Sequence, residues 1–258
     1  MSALNVKYLN TTKGDSRTTL VFAHGNSQNL HFWDYQMESP LFGTFNRMAF
    51  DLPGHGKSVK MDDYRVKNVI PVISDTLQNM GSIIIIGHSL GGHLILQSLS
   101  SIDNCIGLVL IGTPPLKKPL NMLEAFAPDE RMGLLFKEEL SEKEREIMIE
   151  FIGCKNNRPL AQDALEHTDT KFRSHMANSV ASGGLVDELE VLKNIDFPVA
   201  LIVGETDQLI NKSYLNSVHF PALWKEQVQY IPKAGHTPQL ENSEEFNKLL
   251  SDFIYGIQ

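Results

Sequence analysis

The stretch Ile83-Ile84-Ile85-Ile86-Gly87-His88-Ser89-Leu90-Gly91-Gly92 decides the fold of this chain. A short run of β-branched apolar residues reads as a buried strand and ends in Gly-x-Ser-x-Gly. Helical spacing begins at once in Leu90, Leu94, Ile95 and Leu99. Strand, tight turn and helix is the context that turns this five-residue pattern into a nucleophile elbow. The turn lifts one serine hydroxyl above the carboxyl edge of a sheet. A Cβ at either flanking glycine would collide with the neighbouring strand and helix. Ser89 is therefore the candidate nucleophile. The bare pattern is common; its alternative reading, a serine that merely caps a helix, weakens with each partner found.

Around the elbow, strand-like and helical runs alternate. Val6 to Leu9, Thr19 to Ala23, Arg47 to Phe50, Ile106 to Ile111, Pro198 to Val203 and Gln227 to Ile231 read as strands. A helix is expected across Arg65 to Met80, with Val66, Val69, Ile70, Ile73 and Leu77 on one face. Another closes the chain, with Asn242 as N-cap, Glu245 three residues on, and Phe246, Leu249, Leu250, Phe253 and Ile254 at helical spacing. Such alternation predicts an α/β fold with a mostly parallel central sheet flanked by helices.

The alternation stops after Thr113-Pro114-Pro115. Ser141 and Glu144 form a capping box, Ile147, Met148, Phe151 and Ile152 a stripe, and Gly153 an end signal. Residues 1–113 and 195–258 are thus expected to form the core domain. Residues 114–194 are expected to form a helical cap over the carboxyl edge, where open α/β sheets bind ligands.

A serine hydroxyl needs a base to take its proton, and the base needs an orienting group. His236, in Ala234-Gly235-His236-Thr237-Pro238, lies after a strand and before the last helix. Asp207, in Val203-Gly204-Glu205-Thr206-Asp207, lies in the loop after the preceding strand. Glu205 is in reach of the same loop, and Asp207 is the preferred acid; Glu241 is read as support for the last helix. The order Ser, Asp, His suits this chemistry on an α/β sheet. An oxyanion hole would take the amide of Leu90 and the amide of Asn26 in His24-Gly25-Asn26-Ser27. The Asn26 side chain is placed to touch substrate, and His24 to brace its loop. Phe126, Met148 and Phe151 are the expected substrate contacts in the cap. With Met122, Leu123, Met132, Leu134, Leu135, Phe136 and Met176 they give a methionine- and phenylalanine-rich lining suited to a flexible acyl chain.

Other function classes are disfavoured. Of 258 residues, 23 are Lys or Arg and 31 Asp or Glu, a net charge of −8 that offers phosphate backbones no long-range attraction, so no nucleic-acid partner is expected. The longest apolar run, Ile83 to Ile86, is too short to span a bilayer, so no membrane partner is expected either. Met1 to Val6 shows no signal-peptide pattern, and the two cysteines, Cys105 and Cys154, read as idle thiols; a cytoplasmic setting is expected. The segment Asp51 to Ser58 ends like a phosphate-binding loop but has Asp51 where that motif needs Gly, so it reads as a tight glycine turn. Nine histidines form no His-x-His pair and no His-Glu-x-x-His helix, and His88 and His93 have no obvious carboxylate co-ligands, so no metal or other cofactor is expected. A monomer or weak homodimer is the expected state.

The blocks His24-Gly25-Asn26, Asp51 to Gly56, Gly87 to Gly92 and Gly235-His236 stand where the α/β-hydrolase fold superfamily has them. The chain resembles that superfamily over nearly its whole length except the cap, with one strand before Leu20 where many members have a hairpin. More narrowly, His24 to Ser27, Asp51 to Ser58, Ser89 to His93, Gly112 to Pro115 and Phe220 to Trp224 look like the metal-independent N-acyl-homoserine lactone lactonases of that fold. Asp207-Gln208 departs from their expected acid loop, having no carboxylate at 208. The resemblance implies a serine hydrolase that opens the lactone ring of a quorum-sensing signal through an acyl-enzyme. The alternatives are a carboxylesterase, a carbon–carbon bond hydrolase, or a slow-turnover ligand receptor.

Overall fold

A computed structural model describes residues 4–11, 17–152 and 157–257. Among these, the strands are β1 (Val6–Leu9), β2 (Thr18–Ala23), β3 (Asn46–Phe50), β4 (Ser82–His88), β5 (Cys105–Ile111), β6 (Val199–Gly204) and β7 (Gln229–Ile231). They form one sheet in the order β1-β3-β2-β4-β5-β6-β7. Edge strand β1 runs antiparallel to β3, and every other pair is parallel. The helices are α1 (Asp34–Met37), α2 (Val66–Leu77), α3 (Leu90–Ser98), α4 (Met122–Ala125), α5 (Glu142–Ile152), α6 (Arg158–Glu166), α7 (Lys171–Ala181), α8 (Glu188–Lys193), α9 (Lys212–Ser217), α10 (Pro238–Glu241) and α11 (Ser243–Gly256).

Side chains alternate across a strand, and here both faces are covered. Ile83 and Ile85 pack with Val21, Leu108 and Leu201 under α2 and α3, whereas Ile84 and Ile86 pack with Phe22, Val109 and Ile202 against Phe246 and Phe253 of α11. That is why the run is unbroken: a parallel strand between two helical layers has no solvent face to make polar. Removing one such isoleucine side chain from water contributes about 1.5–3 kcal/mol.

The register aligns the carboxyl ends of the strands. Ala23 pairs with Gly87, His88 with Ile111, Ile111 with Ile202, and Gly204 with Ile231. The loops carrying His24 to Asn26, Ser89, Asp207 and His236 therefore all leave from one edge. Between β5 and β6 the described residues form α4 to α8, and hydrogen bonds tie this segment to loops at that edge. Asn26 Nδ2 donates to the Leu135 carbonyl (3.0 Å), Gln28 Nε2 to the Ile152 carbonyl (2.7 Å), and the Tyr64 hydroxyl to Asp169 (2.9 Å).

Two helix starts differ in outcome. Ser141 and Glu144 cap α5 as expected, with the Ser141 N–H donating to Glu144 at 2.8 Å. Asn242 occupies the N-cap position of α11, but its side chain donates to the Pro232 carbonyl (2.8 Å) and makes no cap bond. The short α10 immediately before it turns Asn242 toward the loop that leads into His236. Gly153, the expected end signal of α5, and Cys154 lie outside the described residues. Cys105 is buried in β5, where burial pushes its thiol up to about 12. Among the described residues no helix is long and apolar enough to cross a membrane.

Candidate active site

Ser89 joins β4 to α3 with φ 50° and ψ −120°, a conformation that costs a non-glycine residue about 1–3 kcal/mol. The turn is over-determined. The Ser89 N–H donates to the Ile111 carbonyl (2.8 Å), and the Ser89 carbonyl accepts from the His93 N–H (3.1 Å). A Cβ on Gly87 would stand 2.6 Å from the Gly92 Cα, and one on Gly91 would stand 2.4 Å from the His24 carbonyl oxygen. Only glycine lets β4, α3 and β2 approach this closely, as the motif implies.

His236 Nδ1 lies 2.9 Å from Asp207 Oδ2. The other carboxylate oxygen accepts from the N–H groups of Leu209 (2.8 Å) and Ile210 (3.4 Å). Burial by itself raises the Asp207 pKa, but the His236 charge and these hydrogen bonds outweigh it and hold the carboxyl below its ordinary value. A carboxylate at Asp207 fixes the proton of His236 on Nδ1 and leaves Nε2 as an acceptor. Glu205, the other acid in the loop, is exposed and accepts from the Lys233 N–H (3.3 Å).

Glu241 does something the sequence reading did not anticipate. Its carboxylate accepts from the Gly235 N–H (2.9 Å), the Thr237 N–H (3.0 Å) and the Thr237 hydroxyl (2.8 Å). It thus clamps the main chain on both sides of His236 instead of supporting α11. His88 adds a third support, with Nε2 donating to the His236 carbonyl (2.8 Å).

In the loop after β2, the Gly25 N–H is bonded to Gln28 Oε1 (2.8 Å), the Ser27 N–H to His55 Nε2 (3.1 Å) and the Gln28 N–H to the Gly25 carbonyl (3.3 Å). The Asn26 N–H between them has no acceptor among the described residues. Leu90 is the first residue of α3, so its N–H has no partner within the helix. The two amides nominated for the oxyanion hole are thus free to bind a ligand oxygen. His24 braces the loop as expected: Nδ1 donates to the Gly25 carbonyl (2.8 Å) and Nε2 accepts from the Leu52 N–H (2.9 Å). The Asn26 side chain is engaged with Leu135 and with the Ser27 hydroxyl (2.9 Å).

Two adjoining chambers open at Ser89. The larger, of about 90 Å³, includes Leu94, Met122, Phe126 and Met176; the smaller includes His236, Gln28 and Phe151. Asn26, Ser89, Phe126, Met132 and Leu135 line both. Of the cap residues nominated as substrate contacts, Phe126 lines both chambers and Phe151 the smaller one. Met148 lines neither: it is wholly enclosed in the core, whereas Phe151 and Ile152, three and four residues on, line the smaller chamber. Leu123, at 77% exposure, points to solvent.

The segment Asp51 to Ser58 is a structural hub. Asp51 accepts from Asn5 Nδ2 (2.7 Å) and the N–H groups of Leu30 (2.8 Å) and Lys57 (3.0 Å), and it fills the space a Cβ on Gly56 would need. An acidic side chain at its centre makes it unfit to cradle phosphate. Among the described residues no three His, Cys, Asp or Glu side chains converge as a metal site requires. His93 does have a carboxylate partner, Glu188 (2.8 Å), 95 residues further along the chain, which no local pattern announces.

Comparison with known proteins shows what the chain is similar to. The model of the alpha/beta hydrolase family matches residues 20–249. Among solved structures, a mutant of the N-acyl homoserine lactonase AidH complexed with N-hexanoyl homoserine lactone superimposes with a TM-score of 0.90 at 25% identity, covering 99% of this chain and 94% of that one. The acetyltransferase component of the acetoin cleaving system of Cupriavidus necator is 23% identical over 99% of this chain and 68% of its own length. The pimeloyl-[acyl-carrier protein] methyl ester esterase of Wigglesworthia glossinidia brevipalpis is 25% identical over 93% of this chain and 95% of its own.

Proposed function

This chain belongs to the alpha/beta hydrolase family, and from that premise we propose that it is a serine hydrolase that opens the lactone ring of N-acyl-homoserine lactones. The observation that carries the reading is that His236, bonded to the buried Asp207 at 2.9 Å, lines the same chamber as Ser89. The likeness to the lactonase AidH supports the substrate class. Residues 114–194 serve as the cap that walls the acyl chain from water.

Ser89 Oγ attacks the ring carbonyl carbon while His236 Nε2 takes its proton. The carboxylate of Asp207 keeps the imidazole in the productive tautomer and stabilises the imidazolium. The N–H groups of Leu90 and Asn26 bind the oxyanion of the tetrahedral intermediate. Collapse breaks the ring C–O bond, and His236 returns the proton to the departing alkoxide, which stays tethered to the acyl-enzyme. Water, deprotonated by His236, then attacks the ester and releases the hydroxy acid and Ser89.

The pimeloyl ester esterase favours one other reading, an esterase for open-chain esters. Proton release separates the two. A medium-chain N-acyl-homoserine lactone and a simple aryl ester are followed side by side, with Ser89→Ala as control. Fast, Ser89-dependent opening of the lactone is the expected result. Turnover of the ester alone assigns the esterase, and full activity in Ser89→Ala overturns the nucleophile.

A further inference from the structure

Arg173, on α7 of the inserted segment, is a buried cation that the mechanism above does not use. It is 2% exposed and lines neither chamber, so it does not touch substrate. Its guanidinium donates from all three nitrogens: Nε to the Lys137 carbonyl (2.7 Å), Nη2 to the Glu138 carbonyl (2.8 Å) and Nη1 to the Ser27 hydroxyl (3.4 Å). These acceptors are neutral, and among the described residues no carboxylate pairs with it; Glu138 turns its own to the Ser174 hydroxyl (2.5 Å). Where only stability is at stake, a buried cation is replaced as well or better by packed apolar side chains. What a guanidinium adds is a rigid fork that sets several acceptors in one geometry.

The fork reaches the oxyanion loop. Ser27 has φ 54°, a region that residues other than glycine seldom adopt. Its N–H donates to His55 Nε2 (3.1 Å), and the His55 ring meets Phe172 edge to face with centroids 4.4 Å apart. Consecutive residues of α7 thus bear on Ser27 from two sides, Phe172 through His55 and Arg173 directly. The Ser27 hydroxyl donates in turn to Asn26 Oδ1 (2.9 Å), and Asn26 Nδ2 donates to the Leu135 carbonyl (3.0 Å). A hydroxyl that accepts from a cation donates more strongly, so the two bonds reinforce each other. Both ends of the Asn26 side chain are held, and its main-chain N–H is left as the free donor.

We propose that Arg173 is a positioning residue. Acting through Ser27, it fixes Asn26 so that the Asn26 N–H meets the oxyanion. Through the Lys137 and Glu138 carbonyls it fixes the same cap segment that Asn26 grips at Leu135, so one side chain sets the cap wall and the oxyanion hole together. The inference rests on the assignment of Asn26 to the oxyanion hole, and it holds for a lactone and an open ester alike.

The test measures kcat and KM on a medium-chain N-acyl-homoserine lactone and on a simple aryl ester, with the Ki of an alkyl trifluoromethyl ketone. Ser89 Oγ adds to the ketone carbon, its proton passes to His236, and the ketone oxygen becomes an oxyanion with no leaving group to expel. Outright loss of an oxyanion donor costs about 10²–10³ in kcat, so the misaimed donor of Arg173→Met should cost roughly ten- to a hundredfold. KM should stay within about twofold, because the lost interaction belongs to the transition state. The ketone Ki should rise by the factor that kcat/KM falls. Ser27→Ala leaves both cap carbonyls their partner and should lose kcat to a similar extent. Adding Arg173→Met to Ser27→Ala should then cost less than about threefold more, since the two act in series. Arg173→Lys keeps the charge, but one nitrogen cannot serve three acceptors, and most of the deficit should remain. Should Arg173→Met not fold, Arg173→Lys takes its place in the cycle.

A raised KM with unchanged kcat in the Arg173 variant overturns the inference and leaves Arg173 a support of the cap wall. Unchanged kcat in Ser27→Ala, full recovery in Arg173→Lys, or losses that simply multiply in the double variant overturn it as well. The expected pattern on the ester with no turnover of the lactone overturns the lactonase reading and retains the role of Arg173. Turnover of neither substrate by the natural protein overturns both.

Discussion

The His88 ring donates to the main-chain carbonyl of His236 at 2.8 Å, so the residue before the proposed nucleophile holds the loop of the proposed base. The Nδ1 of His88 meets Gln28 Oε1 at 2.9 Å. That same oxygen takes the Gly25 N–H, and the Gln28 NH2 group reaches the Ile152 carbonyl at the end of α5. One buried glutamine thus touches the elbow, the oxyanion loop and the inserted helices.

Replacing Gln28 by Leu keeps the bulk and strands the Gly25 N–H and the Ile152 carbonyl. Each unpaired buried group costs about 1–3 kcal/mol. Urea unfolding should show a loss in that range or somewhat above it, and kcat should fall tenfold or more as the Asn26 amide loses its aim. Unchanged kcat in the folded variant would separate this network from catalysis.

Asp207→Asn tests the orienting acid with nearly no change in shape. An amide cannot stabilise the imidazolium, and its NH2 group favours the tautomer with the proton on Nε2, facing the serine. In serine proteases the equivalent change costs about 10⁴ in kcat; a loss of roughly 10³–10⁴ is expected here. Steady-state kinetics on the lactone decide it, and a loss below tenfold would return the role to Glu205.

Gly112 has φ 53°, and a Cβ there would stand 2.8 Å from His236 Cε1. Gly112→Ala should push the imidazole off its line to Ser89, lowering kcat at least tenfold with about 1 kcal/mol of backbone strain. Gly256→Ala, with nothing within 4 Å of the added methyl, is the control and should leave turnover unchanged. Equal kinetics in the two variants would show that the His236 ring tolerates displacement.

How much of this was legible follows the range of each interaction. Ser89, Asp207 and His236 could be located because each sits just past a strand, and strand ends are local signals that the parallel register then brings to one edge. The Gly87 constraint is equally local, set by Gly92, whereas the one on Gly91 comes from the His24 carbonyl of another strand's loop. The clamp of Glu241 on the loop of His236 was misread, because a carboxylate near a helix start suits a cap as well as a neighbouring loop. His93–Glu188 spans 95 residues and Gln28–Ile152 spans 124, and nothing in either segment marks its partner. Met148 and Phe151 share a stripe, yet only packing decides which of them meets the chamber.

Buried histidines also set the pH dependence of stability. Burial, reinforced by the charge of His236, pushes His88 down to about 3 from its ordinary 6.5, and burial lowers His24 and His55 as well. These rings stay neutral in the fold but take up protons in the unfolded chain below about 6.5. The unfolded state then binds more protons, so stability falls as pH drops from about 6.5 toward 3 and is fully present above 6.5. Each histidine contributes a slope of about 1.4 kcal/mol per pH unit inside its window. Asp207 acts in the same direction lower down: its contribution is present above the unfolded carboxyl value, about 3.9, and is lost as pH falls through its depressed folded value. Urea titrations between pH 7 and pH 4 should show the slope, and His88→Gln should flatten it by about one proton. A wild-type stability that stays level from pH 6.5 to pH 4.5 would mean that these rings already carry charge in the fold, with His88 donating to Gln28 as well as to His236.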